Sequence, residues 1–182
     1  MSRHNPVTPE SANPAQKAVY DAIKNGPRGH VRGPFPVLLH SPGMADQVQK
    51  LGGFIRFESK VPDKLRELAV LVTARFWHAE FEWFAHTPLA EKFGISPQAI
   101  ETIRTGGRPT FTDKAEQTVY DFMRDLHEKH NVSDATYKNA VEILGQEVVT
   151  DLLGMAGYYT LLAMVLNVYQ VPLPDGSKPF PD

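Results

Sequence analysis

The stretch from Arg75 to His86 holds the residues best suited to chemistry. It combines five aromatic residues with two glutamates, two histidines and one arginine. Four of its ionisable side chains are separated by three, four and four residues: Arg75, His78, Glu82 and His86. On one continuous helix these four would form a single stripe flanked by aromatic rings. Because charges that are both paired and partly buried have shifted pKa values, the stripe is the best candidate for a catalytic site.

The composition excludes several classes of protein. The chain of 182 residues has no cysteine, which rules out disulfides, thiolate zinc sites, iron–sulfur clusters and thiol-based redox chemistry. A formal net charge of −2 gives no electrostatic basis for binding nucleic acid. Residues 152–174 carry no charge, but their glycine, tyrosine, asparagine and glutamine favour a buried or interface helix over a membrane span. The N-terminus lacks the apolar run of a signal peptide, so we expect a cytoplasmic protein.

Capping signals and apolar periodicity predict a single all-α domain. The predicted helices cover residues 14–24, 44–57, a segment opened by Pro62, 97–104, 113–129, 133–144 and 148–169. The sequence leaves open whether the helix after Pro62 continues through His86 or breaks near Trp77. Residues 25–36 contain three glycines and three prolines and form a loop that either lines a pocket mouth or covers an apolar face.

At Glu67 the chain resembles a known family. Members of the carboxymuconolactone decarboxylase and alkylhydroperoxidase-D-like superfamily carry the pattern Glu-x11-Cys-x2-Cys-x3-His. In this chain the same spacing begins at Glu67 and ends at His86, with Ala79 and Glu82 at the two cysteine positions. The segment Glu80-Phe-Glu-Trp-Phe-Ala-His86 is similar to the Glu-Tyr-Glu-Leu-x-x-His pattern of the cysteine-less decarboxylase branch. The resemblance covers about residues 65–174. We therefore divide the chain into a loose segment (1–13), a helical extension (14–60), a family-like domain (61–174) and an extended tail (175–182).

The resemblance implies an all-helical fold that assembles as a trimer or hexamer. It also implies a small carboxylated lactone as the substrate, with no cofactor and no metal. Decarboxylation requires a cation for the charge that develops and a positioned proton donor. We expect the catalytic residues to be Glu67, Glu82 and His86, and the substrate-binding residues to be Arg75, His78, Trp83 and Tyr158. Thiol peroxidase chemistry is excluded because the nucleophile is missing.

Three alternatives remain open at the level of sequence. Glu82 and His86 can be a structural pair one helical turn apart, and Glu67 can pair with an arginine such as Arg66. A metal enzyme would use His78, Glu82 and His86, although ligands about 12 Å apart along a straight helix converge poorly. A non-catalytic family member would bind a small ligand without turnover.

Overall fold

The computed structural model describes residues 3–180, which are all-helical as predicted. Nine helices occur within this part of the chain: α1 (Pro14–Asn25), α2 (Phe35–Leu38), α3 (Pro42–Phe57), α4 (Asp63–Phe76), α5 (Glu80–Lys92), α6 (Pro97–Arg104), α7 (Lys114–Lys129), α8 (Asp134–Leu144) and α9 (Gln146–Tyr169). The boundaries agree with the sequence prediction to within a few residues, except that the one-turn helix α2 is an addition. It forms at the end of the loop that the three prolines and three glycines predicted.

Side-chain caps fix where several helices begin. Asn13 accepts a hydrogen bond from the backbone N–H of Gln16 (3.0 Å), and the Gln16 side chain accepts one from the backbone of Asn13 (2.9 Å). Ser96 and Ser133 cap α6 and α8, as predicted. At α7 the side chain of Asp113 caps the first turn, but Glu116 forms an ion pair with Lys64 instead of completing the capping box.

Helix α4 lies in the centre of the domain. Every residue from Leu65 to Ala74 is buried, and the helix packs against α5, α6, α7 and α9. A helix that is covered on all sides must satisfy its polar side chains inside the protein. Arg66, Glu67 and Thr73 are therefore constrained to pair with other residues of the core.

The chain turns between α4 and α5, and this turn changes the predicted stripe. Helix α4 ends at Phe76, and His78 adopts a left-handed backbone conformation with φ of 48°. The backbone N–H of Ala79 bonds to the carbonyl of Ala74 (2.8 Å), and the Asn167 side-chain amide bonds to the carbonyl of Trp77 (2.8 Å). The chain thus breaks near Trp77, which is one of the two possibilities that the sequence left open. The four side chains do not form one continuous stripe, since Arg75 and His78 precede the turn whereas Glu82 and His86 follow it.

Helix α9 runs along α4 and supplies aromatic side chains to the core. Its length and composition would suit a membrane span, yet it packs against α2, α3, α4 and α8 and buries Leu152, Tyr159 and Leu162. Its opposite face exposes Leu153 and Met164. The uncharged segment is therefore a core helix with one uncovered apolar face.

The segments at both ends of the chain are anchored. Val7 is buried, and its N–H bonds to the carbonyl of Pro36 (2.8 Å), so the N-terminal segment predicted to be loose is held at this point. In the tail, Phe180 is buried with its ring 5.2 Å from that of Trp83. The composition of the tail, with its two prolines, gave no indication of this contact.

Candidate active site

Three buried ionisable side chains form one continuous chain between α4 and α5. Nδ1 of His86 lies 2.6 Å from Oε2 of Glu67, and Nε2 of the same ring lies 3.3 Å from Oε2 of Glu82. All three side chains are almost fully buried. Helix α5 places Glu82 and His86 one turn apart on a single face, and the central helix α4 brings Glu67 to the other side of the ring.

An arginine completes the group behind Glu67. Nε of Arg66 donates to Oε1 of Glu67 (3.2 Å), and its Nη1 donates to Asp63 (2.7 Å) and to the carbonyl of Arg56 (3.4 Å). Glu67 is therefore held between a guanidinium and an imidazole. A buried charge needs this kind of compensation, because leaving it unpaired costs several kcal/mol, about 3–5.

The environment favours charged forms of Glu67 and His86. Burial pushes the pKa of Glu67 up, but the hydrogen bond and charge of His86, together with the charge of Arg66, outweigh burial and lower it. Burial pushes the pKa of His86 down, but hydrogen bonds to Glu67 and Glu82 and the charges of both carboxylates raise it. Both shifts favour the pairing of a Glu67 carboxylate with a His86 imidazolium.

The hydrogen-bond pattern leads independently to the same protonation state. An ionised carboxylate can only accept, so a ring nitrogen that faces one must carry a proton. His86 has a carboxylate at each nitrogen, which requires a proton on both unless Glu82 is itself protonated. The ring can therefore exchange a proton with Glu82, whose contact at 3.3 Å is the longer of the two.

Glu82 and His86 form part of the wall of a small cavity, which we call the relay pocket. Its volume is about 50 Å³, and its other walls come from the 28–35 loop, α3 and α9. Three arginines line it: Arg28, Arg32 and Arg56. Among residues 3–180 none of these three guanidinium groups forms an ion pair with a carboxylate. The pocket therefore presents unneutralised positive charge beside Glu82.

Two tyrosines of α9 complete the wall. The hydroxyl of Tyr158 accepts a hydrogen bond from Nη2 of Arg28 (3.4 Å), and the ring of Tyr159 meets that of His86 edge-on at 5.2 Å. Burial raises the pKa of Tyr158 and raises that of Tyr159 well above its usual range. Both hydroxyls therefore remain protonated and can serve as neutral donors.

The structure distributes the seven predicted site residues over more than one place. Glu67, Glu82 and His86 come together, and Tyr158 lines the same pocket. The remaining three are not among the residues of its wall: Arg75, His78 and Trp83. Trp83 packs in the core against Phe180, whereas Arg75 and His78 contact each other through Nη1 and Nε2 (2.7 Å). The turn at His78 separates Arg75 and His78 from the pocket, whereas Trp83 lies on a different face of α5 from Glu82 and His86.

The same turn removes the predicted metal triad. His78 precedes α5 and bonds to Arg75, so it does not join Glu82 and His86. Within residues 3–180 no group of three or more histidine, aspartate or glutamate side chains is arranged to hold a metal ion. His40, another histidine of the chain, contacts the backbone carbonyl of Asn5 (2.7 Å).

Several members of the site were not identified as such from the sequence. Arg56 carries no local signal, because it follows an ordinary amphipathic pattern on α3. Tyr159 was not among the predicted site residues. Arg66 was considered only as a pairing partner of Glu67, a role that the geometry bears out.

The fold and the site define a class of protein: a helical domain with a buried glutamate–histidine–glutamate chain at a basic pocket and no cysteine. The sequence profile described as "Carboxymuconolactone decarboxylase family" matches residues 42–125, which include all three members of that chain. The matched residues make up less than half of the chain, so the match shows that this part of the protein is similar to the carboxymuconolactone decarboxylase family. No curated protein matches the chain in sequence.

Two solved structures are similar over nearly the whole chain. The first is described as "alkylhydroperoxidase AhpD core: uncharacterized peroxidase-related protein" from Ralstonia eutropha JMP134. It has a TM-score of 0.73 and 15% identity, and the match covers 91% of this chain and 88% of that one. The second, an "uncharacterized peroxidase-related protein" from Silicibacter sp. TM1040, has a TM-score of 0.73 and 13% identity, with 92% of each chain covered. At such identities the likeness establishes the fold and nothing finer.

Proposed function

We propose that the protein is a cofactor-independent decarboxylase, or a related lyase or isomerase, acting on a small carboxylated and cyclic substrate such as a lactone. One observation carries the proposal. A fully buried histidine has a carboxylate at each ring nitrogen, and the second of these carboxylates opens into a pocket lined by arginines. This arrangement combines a proton source with positive charge, which are the two requirements of the reaction.

The proposed reaction has two steps. First, the bond between the substrate ring and its carboxylate breaks, carbon dioxide leaves, and the electron pair moves into the conjugated lactone carbonyl. The negative charge of the resulting dienolate lies next to Arg28, Arg32 and Arg56. Arg28 and Arg56 are partly buried, so their charges are less screened by water and stabilise the dienolate more than that of the exposed Arg32.

In the second step the dienolate takes up a proton at carbon. Glu82 lies on the pocket wall and delivers the proton, while Nε2 of His86 donates its own proton to Glu82. Glu67 stabilises the charged form of His86 before transfer and orients the ring through the short bond to Nδ1, while Arg66 holds Glu67 in place. Overall, one carboxylate of the substrate is replaced by a hydrogen that originates in solvent.

Substrate entry requires the loop over the pocket to move. A cavity of about 50 Å³ holds little more than a water molecule, whose share of liquid volume is about 30 Å³. The loop contains Gly29 and Gly33 with positive φ, and a Cβ atom at Gly33 would lie 2.9 Å from the ring of Phe81. We infer that the described conformation is closed and that this glycine-containing loop opens for binding.

A direct assay tests the proposal. Purified protein is incubated with carboxymuconolactone and a set of related carboxylated lactones in D₂O, and the products are followed by NMR. We expect release of carbon dioxide with one deuterium incorporated at the former carboxylate-bearing carbon. Tight binding of these acids without any turnover would reject catalysis and favour a ligand-binding protein on the same scaffold.

The expected homo-oligomer is also part of the proposal. Exposed apolar side chains lie on the neighbouring helices α3 and α9: Leu51, Phe54, Phe57, Leu153, Met164 and Val168. We propose that a second copy of the chain covers these exposed side chains. Light scattering should show a trimer or hexamer, and a monomer at micromolar concentration would contradict this.

A cytoplasmic location remains a prediction.

A further inference from the structure

A second cavity lies on the far side of the α4–α5 turn, and we call it the Arg75 pocket. Its volume is about 230 Å³, and its walls come from the end of α4, from α6 and the loop that follows it, and from α7. None of its wall residues also lines the relay pocket. Known small-molecule sites of drug size occupy about 300–1,000 Å³, so this cavity suits a ligand somewhat smaller than a drug.

Arg75 has an unsatisfied donor in this cavity wall. Its Nε is buried and is the one buried side-chain nitrogen or oxygen of residues 3–180 that lacks a hydrogen-bond partner. Its Nη1 contacts Nε2 of His78, and its guanidinium lies over the ring of Phe180 at 5.3 Å. A buried N–H without an acceptor is costly, so a turn of the guanidinium that aims this N–H at an acceptor in the pocket would be favoured.

The charge around the cavity is positive, but only moderately so. Arg124 lines the same pocket, where Nη1 donates to the hydroxyl of Tyr120 (2.8 Å) and Nε donates to Glu128 (2.6 Å). Glu128 neutralises one of the two arginines of the wall, whereas Arg75 forms no ion pair with any carboxylate of residues 3–180. This balance favours a monoanion, because a dianion such as phosphate would be repelled by Glu128.

The remaining surface of the pocket is apolar and partly aromatic. Val72 and Ile103 contribute aliphatic surface. The rings of Phe76 and His127 are stacked nearly parallel, with centroids 4.9 Å apart. The hydroxyl of Thr73 donates its hydrogen to the carbonyl of Ala69 and also contacts Nε2 of His127. Nε2 must therefore carry a proton and donate it to Thr73, which a neutral imidazole can do. A planar organic acid would place its carboxylate at Arg75 and its ring against this wall.

We propose that the Arg75 pocket binds a small planar carboxylate of the benzoate type. The site is separate from the relay pocket and takes its specificity from one unpaired guanidinium, an aromatic wall and a size that admits a single ring. Binding at this site involves neither Glu82 nor His86, so the proposal does not depend on the proposed decarboxylation.

Isothermal titration of the full-length protein with sodium benzoate tests this site, with the ring-proton NMR signals of His127 and His86 as local reporters. We expect saturable binding that shifts the signal of His127. The Arg75→Met variant should weaken the affinity at least about tenfold. The matched variant Arg56→Met, which alters the relay pocket, should leave the benzoate affinity unchanged. Benzamide, which has the same shape without the charge, should bind at least about tenfold more weakly.

Other outcomes would overturn the proposal. Absence of saturation up to about 10 mM benzoate would remove the site. Loss of affinity in Arg56→Met but not in Arg75→Met, or a shift of His86 alone, would assign the binding to the relay pocket. Equally strong binding of inorganic phosphate would reject the planar carboxylate. If Arg75→Met does not fold, Phe76→Ala decides the question, since removal of this half-exposed ring must weaken binding about threefold or more.

Discussion

The relay pocket and the Arg75 pocket lie on either side of one turn, yet they handle charge in opposite ways. In the relay pocket the buried groups Glu67, His86 and Glu82 satisfy one another, and Arg66 supports them from behind. In the Arg75 pocket the buried guanidinium nitrogen has no acceptor. The first arrangement lets a proton move between groups that are already in contact, whereas the second suits the capture of an external anion.

The two buried histidines show the same contrast. The pKa of His86 is raised by its two carboxylates in spite of burial, but burial and the charge of His130 lower the pKa of His127 to about 4. Both rings are shielded from solvent to a similar extent. The difference therefore follows from the partners and not from the degree of burial.

The largest expected effect is on stability. His86→Leu leaves two carboxylates in the core without their shared cation and should lower the free energy of unfolding by about 3–5 kcal/mol. His127→Leu is the matched control, because it removes a neutral ring with one hydrogen bond to Thr73 and should cost about 1–3 kcal/mol. Urea unfolding of both variants measures the difference. Equal losses would mean that His86 is not part of a charged chain.

The next effect is on turnover. Glu82→Gln preserves the shape of the side chain but cannot carry a proton, so we expect turnover to fall about 10²-fold or more while the melting temperature changes little. Glu80→Gln lies two residues earlier on the same helix, outside the pocket wall, and should retain normal turnover. Full activity in a folded Glu82→Gln variant would exclude the relay and leave Glu82 as a structural partner of His86.

The sequence predicted the helices well because their signals are local. Asn13 is followed by Pro14, and Ser96 and Ser133 precede their helices at the positions that capping requires. The relay chain was predictable for a different reason. Glu82 and His86 are one turn apart on a helix, and the family pattern added Glu67, which lies 19 residues before His86.

The turn at residues 77–79 could not be predicted in the same way. It contains no glycine or proline, and its left-handed residue is a histidine, which seldom adopts this conformation. Its hydrogen bond from Asn167 spans 90 positions of the chain. Arg56 and Phe180 were missed for a similar reason, because each reaches its site by tertiary packing that leaves no periodic trace in the sequence.

A pH titration should separate the two histidines. The raised pKa of His86 means that its contribution to stability is complete below its unfolded value of 6.5 and is lost as the pH rises through the folded value. The lowered pKa of His127 has the opposite consequence: its contribution is complete above pH 6.5 and is lost as the pH falls toward about 4.

NMR titration of the ring protons, assigned with the two leucine variants, measures both values. We expect His86 to titrate above 6.5 and His127 to titrate near 4. In unfolding experiments the stability of His86→Leu should no longer decline as the pH rises. The stability of His127→Leu should no longer decline as the pH falls below 6.5. If both rings titrate close to 6.5, the contrast between the two pockets does not exist.

The smallest expected effect concerns the turn that joins the pockets. Asn167 holds the carbonyl of Trp77 at a point between Arg75 and Glu82, and Asn167→Ala removes this bond at an exposed position. We expect a loss of about 0.5–1.5 kcal/mol in the free energy of unfolding, as for a typical hydrogen bond. Val168→Ala, on the exposed face one residue later, serves as the control for shortening a side chain of α9.

If the turn only separates the pockets, benzoate affinity and turnover of Asn167→Ala should both stay within about twofold of the wild-type values. A large change in both together, without a matching loss of stability, would show instead that the turn couples the two pockets and that they do not act independently.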